Sequence, residues 1–518
     1  MLSPDFYSDY LRSILNSRVY EVARETSLET AELLSSRLGH KVMLKREDTQ
    51  PGFCYKIRGA YNKMAGLTRT DLGRGVVVAS AGNHALGVAM SANKLGSSAL
   101  IVMPETTPSI KVDAVKRWGA RVKLVGDSYQ DAFQYADEIC KKQGKVFISP
   151  FDDPAIIAGQ GTVALEILKQ NPGSLDAVFV PVGGGGLIAG LAIYIKQVRP
   201  EVKIIGVEPY ESDALFRSLK AGRRVRLSKV GIFADGVAVK QVGKENFRIC
   251  RECVDEVVRV STDEICAAIK DVCEDTRTIL EPSGALSVAG IKRWLKDNRE
   301  NTVGADGKNL DSKTLVAVTT GANMNFDRLR HVSERAEIGE KREAIIAVTI
   351  PEARGSFRRF YRTLGKRNIS EFNYRFSGEG EAHIFVGIQI NNVSEVQALI
   401  DKLAGIGISC IDLTDNEVAK IHARYMVGGR VPELDSERIF TFEFPERPGA
   451  LGNFLDQIGS TWNITLFHYR NHGSDFGRVL CGIQVPVVER KSFNRFLKQL
   501  GYAFKEETAN PVYNLFLR

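Results

Sequence analysis

Short apolar runs alternate with amphipathic stretches over much of the first 335 residues, and that alternation predicts the elements. Val76-Val77-Val78-Ala79, Ala99-Leu100-Ile101-Val102-Met103, Val122-Lys123-Leu124-Val125 and Val146-Phe147-Ile148 have the length and apolar character of short strands. Between the last two, Tyr129, Ala132, Phe133, Ala136, Ile139 and Cys140 share one face at 3.6-residue spacing, which predicts a helix. Pro108 marks a helix start, where its missing N–H costs nothing, and Gly119 and Gly144 mark stops. A second set follows: Ala177-Val178-Phe179-Val180, Ile204-Ile205-Gly206-Val207 and Leu315-Val316-Ala317-Val318. Runs so continuously apolar suit strands covered on both faces. Strand and helix in alternation predict doubly wound parallel sheets in two lobes, the smaller over about residues 53–155. The cleft between two such lobes is where a small molecule is expected to bind.

After about residue 335 the pattern changes. His331 to Lys341 is charged and reads as a linker or connecting helix. A motif is then written twice. Ala347-Val348-Thr349-Ile350-Pro351-Glu352, Gly355, Phe372-Asn373-Tyr374-Arg375 and Ile384-Phe385-Val386-Gly387-Ile388-Gln389-Ile390 return as Thr441-Phe442-Glu443-Phe444-Pro445-Glu446, Gly449, Phe467-His468-Tyr469-Arg470 and Val479-Leu480-Cys481-Gly482-Ile483-Gln484-Val485. Pro351 and Pro445 stand 94 residues apart, as do Gly355 and Gly449; Tyr374 and Tyr469, and Gly387 and Gly482, stand 95 apart. Each copy reads strand, helix, strand, strand, helix, strand, the α+β ferredoxin-like plan.

Composition removes several alternatives. A chain of 518 residues with 44% hydrophobic content can bury more than one core. Its formal net charge of +8 is spread along the chain. The nearest approach to a basic stripe is Arg354, Arg358, Arg359, Arg362, Lys366 and Arg367, which reads as a solvated helix face, so no nucleic-acid partner is expected. No apolar run approaches the ~18 residues that a membrane span requires. The N-terminus lacks the layout of a signal or transit peptide, so a cytoplasmic protein is expected, and a plastid protein trimmed of its leader would read the same. The eight scattered cysteines are expected as reduced thiols. Cys250 and Cys253 have the spacing of half a zinc site without a second half, so no metal is expected.

Three segments carry candidate chemistry. Lys56, in Cys54-Tyr55-Lys56-Ile57-Arg58-Gly59-Ala60, is a candidate amine nucleophile. Gly183-Gly184-Gly185-Gly186 follows a predicted strand and precedes the apolar helix starting at Leu187, so it would present uncovered backbone N–H groups at a helix N-terminus, a cradle for phosphate. Its spacing is not the Gly-x-Gly-x-x-Gly of a dinucleotide fold. Ser80-Ala81-Gly82-Asn83-His84-Ala85 likewise joins a strand to a helix, and its N–H groups would suit a carboxylate. Taken singly each has a plainer reading: a surface lysine, a flexible turn, an ordinary Asn-His turn.

Taken together, these motifs resemble the pyridoxal-phosphate enzymes of the tryptophan-synthase-β family (fold type II). The duplicated tail is similar to a tandem pair of ACT-like modules and narrows the resemblance to the biosynthetic threonine deaminases. The resemblance implies a catalytic domain over 1–335, a linker at 336–341, and ACT-like modules at 342–425 and 436–518. It implies pyridoxal 5'-phosphate held by Lys56 as a Schiff base, with Gly183, Gly184, Gly185, Gly186 and Leu187 on the phosphate. Asn83 would lie beside the ring hydroxyl and Thr320, in Thr319-Thr320-Gly321-Ala322-Asn323, beside the ring nitrogen. Ser80, Gly82, Asn83, His84 and Ala85 would receive the substrate carboxylate. The implied reaction is loss of water and ammonia from L-threonine, with L-serine as a second substrate, to give a 2-oxo acid as the first step toward isoleucine. Isoleucine would inhibit and valine oppose it, through Tyr374, Arg424, Tyr469 and Arg470, in a homotetramer. Glu281, in Glu281-Pro282-Ser283-Gly284-Ala285, matches a further family motif whose role stays open. Two departures stand out: Cys54-Tyr55 where the family has Ser-Phe, and Leu86 where Gln is common. The rival readings are a serine dehydratase or racemase on the same fold, and an amino-acid sensor that kept the fold and lost catalysis.

Overall fold

Buried apolar runs set the strand order of the first unit. In the computed structural model its strands among the described residues are β1 (Leu28–Thr30), β2 (Lys41–Lys45), β3 (Val76–Ala79), β4 (Ala99–Met103), β5 (Arg121–Leu124), β6 (Val146–Phe147), β7 (Ala177–Pro181), β8 (Lys203–Pro209), β9 (Glu256–Val260) and β10 (Thr314–Val318). The smaller sheet runs β5-β4-β3-β6, parallel throughout. The larger runs β1-β2-β10-β7-β8-β9, parallel except for β1 at its edge. The fold class read from the sequence is therefore correct. Val76, Val77, Val78 and Ala79 are all buried, as are Ala177 to Pro181, because helices cover both faces of each sheet. The predicted helix near Tyr129 spans Tyr129–Gln143 and ends on Gly144 in the left-handed conformation. Near Gly119 the helix stops earlier, at Lys116, with Gly119 in the turn that follows.

The described residues are 2–298, 312–351, 360, 363–364, 369–374, 381–392, 394–425, 436–445, 462, 464–470 and 476–517. The chain divides into two units, Met1–Ala336 and Glu337–Arg518. The charged stretch around His331 is a helix, Arg328–Gly339. The six basic residues from Arg354 to Arg367 lie outside the described residues, as do Arg375, Gly355 and Gly449. No described helix is long and apolar enough to cross a membrane.

The second unit holds two antiparallel sheets of four strands. The first is built from β11 (Glu343–Pro351), β12 (Ile369–Tyr374), β13 (Glu381–Gln389) and β14 (Ser409–Asp412) in the order β12-β13-β11-β14. The second uses β15 (Glu437–Pro445), β16 (Ile464–Arg470), β17 (Phe476–Gln484) and β18 (Ala503–Glu506) in the equivalent order β16-β17-β15-β18. That order, with the first and second strands of each copy separated by the third, is the one the ferredoxin-like plan requires. Even the irregularities repeat: register shifts between Ile369 and Glu371 in one copy and between Ile464 and Leu466 in the other. Ser394–Ala404 and Arg490–Gln499 are the corresponding helices, burying Leu399 and Leu403 in the first copy and Phe493 and Leu497 in the second. A further apolar cluster joins the copies, with Ile345 and Phe385 from the first packing with Ile439, Leu480 and Phe516 from the second.

Candidate active site

Parallel sheets leave their strand-to-helix loops at the carboxyl ends of the strands, where ligands of α/β proteins bind. The predicted segments occupy those loops: Ser80 follows β3, Gly183 follows β7 and Thr320 follows β10. Lys56 opens the helix Lys56–Ala65. The chain just before it is tied to the end of β10, with Cys54 bridging Gly321, the Tyr55 N–H reaching the Thr320 carbonyl (3.3 Å) and the Ala322 N–H reaching that of Phe53 (3.0 Å). Gly87, in the helix Asn83–Leu95, lies so close that a Cβ there would stand 3.3 Å from the backbone of Lys56 and Ile57. Lys56 is thereby fixed between the ends of β10 and β3.

From Asn83 the contacts continue into the larger lobe. Its amide N–H donates to Glu281 Oε1 (2.7 Å), and its Oδ1 accepts from Asn323 Nδ2 (2.8 Å), which also donates to the Gly52 carbonyl (2.7 Å). The Ser283 hydroxyl donates to the same Glu281 oxygen (3.1 Å), and the Thr320 hydroxyl donates to the Ser283 carbonyl (3.2 Å). A Cβ on Gly236 would stand 2.4 Å from Ser283 Oγ, and one on Gly183 would stand 2.9 Å from Val237 Cα. The turn Asp235–Val237 therefore links the tetraglycine loop to Glu281, and through it to Asn83.

The tetraglycine loop is built to leave donors open. Gly185 has φ +91°, and a side chain on Gly184 would run into the Phe151 ring at 2.1 Å. The Gly184 carbonyl is turned back into the protein, where it accepts from Asn246 Nδ2 (2.7 Å) and the Gly243 N–H (3.0 Å). None of the N–H groups of Gly183, Gly184, Gly185, Gly186 and Leu187 has an acceptor among the described residues, and they sit at the N-terminus of the helix Gly186–Val198. The same holds for the N–H groups of Ala81, Asn83, His84 and Ala85 at the start of the helix Asn83–Leu95. Two sets of uncovered donors at helix N-termini, one beside a lysine, fit a phosphorylated aldehyde and a substrate carboxylate.

The charges follow from burial. The Glu281 carboxyl is pushed up to about 7 by burial and then by Asp235, against the pull of its bonds to Ser283 and Asn83. Asp235 itself stays well below the usual carboxylate range: burial opposes its charge, but Lys111 (2.8 Å) and Arg328 (3.5 Å) outweigh it. Burial also works against the charge of Lys56, and the neighbouring Tyr55, Cys54 and Glu281 overcome it and hold the proton. The His84 ring is buried with Nε2 against the Ile148 carbonyl (3.0 Å), and burial pushes it down to about 3. Only the backbone of His84 is therefore left to meet a ligand.

Pattern reading missed Asp235, Asn246 and Lys111, none of which sits in a glycine-rich or periodic signature. It left Glu281 without a role, although Glu-Pro-Ser-Gly-Ala at a helix start was the available signal. Of the departures, Cys54 is buried in the bridge to Gly321, and Leu86 lies under Gly52, where a Cβ would stand 3.4 Å from it. In the second unit, Arg424 is buried and paired with Glu343 (3.2 Å). Tyr374, Tyr469 and Arg470 lie in β12 and β16, whose side chains fall outside the described part.

Comparison with known proteins agrees with this geometry. Residues 19–319 match the pyridoxal-phosphate dependent enzyme family, and 334–423 and 428–517 each match the C-terminal regulatory domain of threonine dehydratase. A biosynthetic L-threonine dehydratase of Burkholderia multivorans is 56% identical over 98% of this chain and 99% of its own length. The counterpart in Escherichia coli is 49% identical, over 98% and 97%. A biosynthetic, chloroplastic threonine dehydratase of Solanum lycopersicum is 50% identical, over 98% and 82%. The solved structure of processed threonine deaminase isoform 2 from that plant aligns at TM-score 0.62 and 48% identity, over 65% of this chain and 90% of that one.

Proposed function

The chain belongs to the biosynthetic threonine dehydratases, pyridoxal-phosphate-dependent lyases with a C-terminal regulatory domain, and on that premise we propose how its residues divide the work. It converts L-threonine to 2-oxobutanoate and ammonia by eliminating water across Cα and Cβ, the entry step to isoleucine. Gly183, Gly184, Gly185, Gly186 and Leu187 would hold the cofactor's phosphate through their open N–H groups, and Lys56 would hold its aldehyde end. Asn83 would lie at the ring hydroxyl and Thr320 at the ring nitrogen. When bound, the cofactor supplies the electron sink that makes the Cα proton removable.

In the Ser80 to Ala85 segment the open N–H groups of Asn83, His84 and Ala85 orient the substrate carboxylate, whereas the expected donors at Ser80 and Gly82 are already used, the Ser80 N–H by the Val102 carbonyl (3.1 Å) and the Gly82 N–H by Ser80 Oγ (3.3 Å). The Lys56 amine takes the Cα proton. The pair left on Cα forms the Cα=Cβ bond as the hydroxyl departs, and the released enamine hydrolyses to the 2-oxo acid and ammonia. The reading rests on one observation above the others: five consecutive N–H groups without acceptors among the described residues, at the N-terminus of the helix Gly186–Val198. L-Serine, one methyl smaller, is a second substrate on this reading.

The regulatory unit binds small-molecule effectors. Isoleucine as inhibitor and valine as its antagonist are the pair proposed, at Tyr374, Tyr469 and Arg470 with Arg424 between the copies. A cytoplasmic homotetramer completes the reading; the tomato relative, a chloroplastic enzyme by name, extends the family to plastids. Family membership and the complete donor set weigh against a sensor without catalysis. The test is 2-oxo acid production from threonine and serine, with and without isoleucine, by the wild type and Lys56→Ala. Lys56→Ala is expected to lose turnover by roughly 10³-fold or more and to lose the visible absorbance of bound cofactor. Retention of both would reject the assignment.

A further inference from the structure

The roles above leave the Glu281 carboxyl unused. Glu281 stands at the start of the helix Pro282–Asp297, yet its side chain does not cap that helix. It reaches instead to Asn83, 198 residues away in the chain. Both of its hydrogen bonds arrive at Oε1, from the Asn83 amide (2.7 Å) and the Ser283 hydroxyl (3.1 Å). The direction of the first is fixed, because Asn83 Oδ1 is already occupied by Asn323 Nδ2. Oε1 is thus an acceptor twice over, and no described residue bonds Oε2. A proton on this carboxyl therefore belongs on Oε2. The charged and titratable groups that interact with Glu281 are Asp235, Lys111, Lys56, Cys54 and Tyr55. Burial and the nearby Asp235 keep the proton on near neutral pH, which a carboxyl in water does not do.

We infer that Glu281 is the acid that protonates the hydroxyl leaving Cβ, with Oε2 as the donor atom. The inference rests on the dehydratase reading and completes its proton balance. Lys56 removes the Cα proton, and the electron pair becomes the Cα=Cβ bond. The Cβ–O bond breaks with its pair on oxygen, which takes the Oε2 proton and departs as water. Glu281 is left as a carboxylate and Lys56 as an ammonium, which interact electrostatically, and return of the proton from Lys56 resets both groups. Hydroxide is a poor leaving group, so the step that needs an acid is this one.

The experiment compares leaving groups. Glu281→Gln keeps an acceptor for Asn83 and Ser283 and removes the proton. Its turnover of L-threonine is expected to fall by roughly 10²- to 10⁴-fold. Turnover of β-chloro-L-alanine, whose chloride leaves without protonation, is expected to stay within about tenfold of the wild type, with cofactor content and absorbance unchanged. An equal loss on both substrates, or undiminished threonine turnover, overturns the inference. The wild type gives a second measurement that no folding defect can confuse: a solvent deuterium isotope effect on kcat with threonine and none with β-chloro-L-alanine. Equal isotope effects overturn it as well. Failure of the wild type to release 2-oxobutanoate from threonine would instead reject the underlying dehydratase reading.

Discussion

The catalytic unit and the regulatory unit assemble their polar contacts over different distances along the chain. Around Lys56 the bonds span 198 residues from Asn83 to Glu281, 240 from Asn83 to Asn323 and 271 from Gly52 to Asn323. In the regulatory unit the bonds compared are shorter in range and occur twice. The Ile345 N–H donates to Thr414 Oγ1 at 3.1 Å, the Ile439 N–H donates to Thr508 Oγ1 at 3.1 Å, and each spans 69 residues. A site gathered from remote segments exists only once the whole unit has folded. A site carried by a repeat comes with each copy, and its side chains are free to diverge. They have done so: Glu343 opens β11 facing Arg424, while its counterpart Glu437 opens β15 accepting from Tyr513 (2.7 Å). The same backbone position therefore meets the Arg424 guanidinium in one copy and the Tyr513 hydroxyl in the other.

Both units bury ion pairs, and the catalytic unit gathers its own into a cluster of four. Two residues after Lys56, Arg58 is fully buried and paired with Glu47 (2.8 Å) and Glu166 (2.5 Å), and Lys45 completes the cluster through Glu166 (2.6 Å). This cluster ties the Lys56 helix to β2 and to the helix Pro154–Gln170. The sharpest way to break the comparison is therefore Arg58→Met. Two carboxylates would be left buried with one lysine, at a cost of about 3–5 kcal/mol. Thermal unfolding followed by calorimetry should show the catalytic transition moving down and the regulatory one staying in place. A shift of both together would mean that the units do not unfold independently.

A smaller effect comes from pH. His84 is neutral in the folded catalytic unit because its folded pKa is depressed to about 3. Its contribution is complete above the unfolded value and is lost as pH falls toward the folded one. By pH 5 the loss should be about 2 kcal/mol. His84→Gln removes that titration, so the variant's stability should change less than the wild type's between pH 7 and 5. Parallel stability curves would place the acid sensitivity elsewhere.

The smallest effect is expected in the regulatory unit. Arg470→Ala should raise the isoleucine concentration for half-inhibition by about tenfold, or ~1.4 kcal/mol of coupling, with uninhibited turnover unchanged. Retained isoleucine sensitivity would remove Arg470 from the effector site and favour the Arg424 side of the unit.

Much of this was legible beforehand because it depends on short-range pattern. The buried strands β3, β4, β7, β8 and β10 are nearly unbroken apolar runs, and the duplicated motif kept its register across the second unit. β2 was missed because Lys-Val-Met-Leu-Lys looks polar at both ends, whereas Lys45 is buried against Glu166. β9 was missed because the charged Glu256 and Arg259 interrupt its three valines, which leaves neither a continuous apolar run nor a strict alternation.

The amino-acid sequence by itself determined the α/β class, the doubled tail, and the lysine and glycine loop that point to the cofactor, because periodicity and backbone freedom are properties of neighbouring residues. Only the tertiary structure decided that Glu281 faces Asn83 and lies near Asp235 and Lys56, that the His84 ring is turned away from the site, and that Arg58 lies buried between two carboxylates. Those facts depend on which distant groups share a volume without water, where a carboxyl, an imidazole or a guanidinium takes its charge from its neighbours.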